Sequence, residues 1–76
     1  MSYGYSVKTI ERNKAADGNN LGVALGRVCI ERCIPVIEVA RALKVTRQTV
    51  YNWFEGASNP HEHYVHEIAS YIASLR

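Results

Sequence analysis

Aspartate is almost missing from this chain, Asp17 being the only one in 76 residues. No paired acidic dyad, phosphate-cradling glycine loop or nucleophile elbow is present. An enzyme would have to build its site from scattered histidines and glutamates, in a chain too small to enclose much of a cavity. Catalysis is therefore not expected, nor a cofactor, nor a small-molecule ligand. Long apolar runs are lacking too, so neither a membrane span nor a signal peptide is expected, and the chain reads as cytoplasmic and reduced. The two cysteines, Cys29 and Cys33, lie four apart on an expected helix. In a reducing compartment they read as small apolar groups. His61, His63 and His66 invite a zinc reading, but histidines in the first turns of a helix are more often caps or surface groups. No metal is expected.

What is present fits one small globular domain. A hydrophobic fraction of 47% against 21% charged residues argues against wholesale disorder. The length is close to the limit at which a single core is self-sufficient, so association would help. Nine Lys and Arg against seven Asp and Glu leave a net charge of only +2, which does not by itself indicate nucleic acid. Placement leans that way: between Val36 and Phe54 the charges are Arg41, Lys44 and Arg47 against Glu38. Such an excess suits a phosphate-facing surface, although clusters of this size are usually just solvated.

The stretch from 36 to 55, VIEVARALKVTRQTVYNWFE, reads as helix, tight turn, helix. Val36, Val39, Ala40 and Leu43 recur at three- and four-residue steps, and Val50, Trp53 and Phe54 do the same in the second half. Ala40 is small enough for close approach of the two axes, and Val45 can fill the gap between them. Thr46 suits the N-cap of the second helix. This arrangement leaves Arg47, Gln48, Thr49, Tyr51 and Asn52 on the exposed side. Arg pairs with guanine, Gln and Asn with adenine, and a threonine methyl touches thymine, which is what base reading in a major groove needs. The plain alternative is a solvated helix face.

A wider set of positions carries a family likeness. Leu21-Gly22, Leu25, Val39-Ala40, Leu43, Val45-Thr46-Arg47, Val50, Trp53, Glu55-Gly56, Asn59-Pro60 and Ile68-Ala69 resemble the lambda-repressor-like helix-turn-helix family, the Cro and repressor group. The likeness covers roughly residues 19 to 75 and fixes apolar, small and turn positions together. It implies an all-α fold, a compact bundle of four to five helices. It also implies a small phage-type transcriptional regulator in a bacterial host cell, bound to a palindromic operator of double-stranded DNA, usually as a homodimer. On that reading Arg47, Gln48, Thr49 and Asn52 read bases, while Arg41, Lys44, Thr46, Tyr51 and Ser58 hold the DNA backbone. Three positions depart from the family. Lys44 stands where the turn usually carries Gly and is expected to hold positive φ. Pro35 and Val36 replace the usual Ser and Gln, of which the Gln touches a phosphate. Cys33 occupies a helix end where Gly or Asn is common. The competing function is a helix-turn-helix interaction module whose exposed face, Tyr51 included, engages another regulator or polymerase.

The flanking segments are read as support. Residues 1–18 form an N-terminal arm and residues 19–76 the helix-turn-helix domain. In the arm, Tyr3, Tyr5 and Val7 alternate with small or polar residues, which allows a short strand, while Lys8, Arg12 and Lys14 permit a basic arm along DNA; a frayed terminus is the plain alternative. Asn20 is the expected N-cap of a helix over LGVALGRVCIERC, whose Gly22 and Gly26 can admit a neighbouring helix closely. Pro35 ends that segment. Asn59-Pro60-His61-Glu62 has the chemistry of a helix start, with Asn as cap and Pro in first position. In the last helix Val65, Ile68, Ala69, Ile72 and Leu75 make one stripe, and Tyr64 and Tyr71 lie seven apart. The strip Tyr64, Ile68, Tyr71 and Leu75 is expected to form the dimer interface rather than a wall of the monomer core, because tyrosine is favoured at interfaces.

Overall fold

The computed structural model describes residues 5–75. Among these the chain forms five α-helices and no strand: α1 (Val7–Ala15), α2 (Leu21–Glu31), α3 (Val36–Leu43), α4 (Arg47–Phe54) and α5 (Glu62–Leu75). Three of the helices begin on a side-chain acceptor. Ser6 Oγ takes the N–H of Thr9 at 3.1 Å, Asn20 Oδ1 that of Gly22 at 2.9 Å, and Thr46 Oγ1 that of Thr49 at 3.2 Å. Each satisfies an amide that the first helical turn would otherwise leave unpaired, a contribution of about 1 kcal/mol.

The start of α5 differs from the Asn59-Pro60 expectation. The helix opens at Glu62, and His61 Nδ1 accepts the N–H of His63 at 3.3 Å. Asn59 Oδ1 instead accepts a hydrogen bond from the Asn20 side chain, which ties the loop after α4 to the start of α2.

The N-terminal segment also differs. Where alternation allowed a strand or a frayed arm, Val7–Ala15 is helical and docked on the bundle; Tyr3 and the rest of residues 1–4 lie outside the described residues. Hydrophobic periodicity could not reveal this helix because its buried face is polar, consisting of Thr9 and Asn13. Just ahead of it, Tyr5 is buried against Phe54 and its hydroxyl donates to Ile34 O at 2.6 Å. At its other end, Arg27 Nη2 donates to Ala16 O at 2.9 Å.

The core lies where α2 crosses α4. Leu25 and Cys29 of α2, Val39 of α3, Val50 and Phe54 of α4 and Ile68 of α5 are all fully buried. Close crossing depends on two glycines of α2. A Cβ on Gly22 would lie 2.8 Å from Trp53 Cβ, and one on Gly26 would lie 2.8 Å from Phe54 Cγ. Burial also acts on Cys29, whose thiol pKa it pushes up to about 12, with Glu38 as the lesser cause. That thiol stays protonated and inert at neutral pH. Cys29 is buried and Cys33 exposed, neither in a disulfide, and no cluster of three or more metal-ligating side chains occurs among the described residues.

Of the strip Tyr64, Ile68, Tyr71 and Leu75, Ile68 is buried in the core and the other three are half-buried against it. Ile68 has no exposed surface and so cannot form a contact with a second copy. Tyr64 stacks against Trp53 with ring centroids 5.4 Å apart, while Tyr71 and Leu75 pack on the same core. Burial raises the Tyr71 phenol pKa, with Cys29 and Glu38 adding to the effect. The expectation of a dimer interface therefore fails at Ile68, which α5 uses to close the bundle.

The turn between α3 and α4 matches its expectation. Lys44 sits at φ 57° and ψ 46°, in the left-handed region, and Val45 N–H reaches back to Ala40 O at 3.0 Å. Cys33 holds the same φ of 57° at the end of α2. A side chain with a Cβ is disfavoured there, so Lys44→Gly is expected to stabilise the fold by about 1 kcal/mol in thermal or urea unfolding. A loss of stability would mean that the lysine side chain contributes more than its backbone costs.

Candidate nucleic-acid interface

With Val50, Trp53 and Phe54 committed to the core, the other sides of α4 face outward. Arg47 and Gln48 are exposed, and Thr49, Tyr51 and Asn52 are half-buried. These are the residues expected outside the core, and because a helix returns to the same side every three to four residues, Arg47 lies beside Tyr51 and Gln48 beside Asn52. Their polar groups are partly ordered already. Thr46 Oγ1 lies 2.9 Å from Thr49 Oγ1, and Gln48 Nε2 donates to Asn52 Oδ1 at 3.0 Å.

The flanking cations are available. Arg41 on α3, Lys44 in the turn and Arg47 at the head of α4 are all exposed. Among the described residues the one ion pair is Arg12 with Glu55, so none of these three is neutralised by a carboxylate. Ser58 is exposed beyond the far end of α4, where its backbone N–H donates to Asn52 O at 3.3 Å. Val36 is only 5% exposed, so it cannot replace the polar phosphate contact that the family likeness would place at that position.

Sequence reasoning missed how α4 is held. At its C-terminal end the Phe54 carbonyl, which no later turn of helix can serve, accepts from Asn13 Nδ2 at 2.7 Å. The same amide nitrogen donates to Val23 O at 3.2 Å, bridging α2 and α4 from inside the bundle. Glu55 is fixed from the same side, its Oε2 accepting from Thr9 Oγ1 at 3.1 Å and its Oε1 pairing with Arg12 at 3.0 Å. The available signal was the spacing of Ser6, Thr9 and Asn13, a cap followed by polar residues on one helix face. In isolation that spacing is equally a solvated segment.

Beside this clamp lies an open groove of about 790 Å³, lined among others by Arg12, Asp17, Asn20, Glu55, Pro60 and Val65. Glu55 is already engaged by Thr9 and Arg12. No described helix is long and apolar enough to cross a membrane. Comparison with family models, with curated proteins and with solved structures gives no match for this chain.

Proposed function

We propose that the chain is a small sequence-specific DNA-binding regulator that lays α4 in the major groove. The observation that carries this reading is that α4 turns the hydrogen-bonding side chains Arg47, Gln48, Thr49 and Asn52 away from the core, while Arg41, Lys44 and Arg47, on α3, in the turn and at the head of α4, are exposed and carry no ion pair. Base edges require the first set and phosphates the second. Tyr51 and Thr46 flank the reading face, and Ser58 extends the backbone contacts beyond α4. Two copies on a palindromic operator belong to the proposal, through a surface that excludes Ile68.

A second reading has its own support. Burial of Val36 removes one expected phosphate contact, and half-buried Tyr51 suits a protein partner, so an interaction module is the alternative. Selection from random-sequence duplexes, repeated over a range of salt concentrations, separates the two. The regulator enriches a defined site, with affinity falling steeply as salt rises, and the symmetry of that site reports whether one copy binds or two. The interaction module enriches nothing even at low salt.

The cations and the readers should also fail differently. Arg41→Ala is expected to weaken binding to all duplexes alike and to flatten the slope of log affinity against log salt by about one unit for each phosphate that the arginine neutralised. A change in base preference with an unaltered slope would instead place Arg41 among the readers.

A further inference from the structure

On the exposed side of α4 two amides are already joined, Gln48 Nε2 donating to Asn52 Oδ1 at 3.0 Å. Their exposures differ, Gln48 being open to solvent and Asn52 half-buried. We propose that this pair is a single reading unit in which Asn52 positions the amide and Gln48 reads the base, and that the unit selects adenine over guanine at one base pair. The inference rests on the DNA-reading function proposed above.

A glutamine with nothing holding it can present its amide either way round. With both hydrogens forward it suits the two acceptors of guanine, N7 and O6; with oxygen and one hydrogen forward it suits adenine, which offers the N7 acceptor and an N6 hydrogen. The bond to Asn52 uses one of the two Nε2 hydrogens and fixes which end of the amide turns back toward the helix. What remains is one acceptor, Oε1, and one donor, the second Nε2 hydrogen. That set matches adenine. Against guanine it brings Oε1 toward an acceptor and leaves another acceptor unpaired, which is the costly arrangement in a desolvated groove.

Asn52, counted above with the reading side chains, acts on the base through Gln48 in this unit, because its oxygen is already engaged. Its backbone carbonyl accepts the N–H groups of Ala57 and Ser58 at 2.9 and 3.3 Å, which seats the residue against the loop after α4. Its side chain spends its oxygen on Gln48. Ordering the longer glutamine side chain before DNA arrives also lowers the entropy lost on binding.

The test measures affinity for every single-base variant of the duplex enriched by selection, using the parent chain, Gln48→Ala, Asn52→Leu, Asn52→Asp and the Gln48→Ala, Asn52→Leu double variant. Gln48→Ala and Asn52→Leu are expected to flatten preference at the same base pair, with adenine over guanine falling from about tenfold or more to within about threefold. The double variant should be no less selective than Gln48→Ala alone. Asn52→Asp keeps the acceptor and offers no hydrogen to Gln48, so adenine preference should persist while the added negative charge weakens binding to all sequences. Two results overturn the unit but leave DNA reading intact: Asn52→Leu altering a different base pair from Gln48→Ala, or Asn52→Asp moving the preference to guanine. Failure of the parent to enrich any sequence overturns the DNA-reading function, and the unit with it.

Discussion

Gly26→Ala is expected to destabilise the fold by about 3 kcal/mol, although alanine in an unobstructed helix would add about 1 kcal/mol of stability over glycine. The added Cβ would lie 2.7 Å from Asn13 Nδ2, 2.8 Å from Phe54 Cγ and 2.9 Å from Phe54 Cβ. None of these can give way cheaply. Phe54 is fully buried beside Tyr5, and Asn13 is held by two carbonyls. Accommodation requires α2 and α4 to separate, loosening the crossing on which the core is built. A domain of this size has only about 4 to 11 kcal/mol in total, at roughly 0.05–0.15 kcal/mol per residue, so the loss is a large share. Urea unfolding should show a lower midpoint with an unchanged slope. A variant as stable as the parent would mean that the two helices do not approach this closely.

Asn13→Leu is expected to cost a similar amount, about 3 kcal/mol, for a different reason. Leucine fills comparable volume but donates nothing. The Phe54 carbonyl, at the end of α4 and buried, would be deprived of its 2.7 Å donor, while Val23 O, inside α2, would lose only the second donor at 3.2 Å and keep its helical one. Stranding the buried Phe54 acceptor costs about 1–3 kcal/mol, and losing the second bond, to Val23 O, about 1 kcal/mol. Because the amide clamps the C-terminal end of α4, hydrogen exchange should quicken first in the last turn of that helix and in α1. Uniform quickening over all five helices would place Asn13 in the general core instead of at a clamp.

The centre of the fold was legible in the sequence because apolar period and turn chemistry agreed there. Val36, Val39, Ala40 and Leu43 on α3, and Val50, Trp53 and Phe54 on α4, are the buried positions their spacing indicated. Thr46 caps as expected, and Lys44 takes the left-handed conformation that its place between Leu43 and Val45 required. The exposure of Arg47 and Gln48 followed from the same periodicity.

The remainder was hidden for physical reasons. Helix α1 buries Thr9 and Asn13, and polar residues leave no hydrophobic period to read. Its anchor, Asn13 to Phe54 O, spans 41 positions of sequence. Of the stripe expected on α5, Ile68 and Ile72 are buried but Val65 and Ala69 are exposed, and an apolar period alone does not say whether its own bundle or another chain covers it; the bundle takes Ile68, and Tyr64 stacks on Trp53. Asn59 had the right chemistry for a cap, yet its side-chain oxygen accepts from Asn20 instead. The Gln48 to Asn52 bond was permitted by their four-residue spacing, but only the folded helix establishes that the two amides meet.

The most direct test of the central claim is to map the DNA contact on the protein itself. Backbone amide resonances of the isotope-labelled chain would be followed while the duplex enriched by selection is added. Binding by α4 predicts that the large shifts fall at Arg41, Lys44 and residues 46–52, with smaller ones near Ser58, and that Lys8 and Lys14 on α1 and the outer face of α5 barely move. Shifts concentrated on α1 or α5, with α4 unperturbed, would contradict the account.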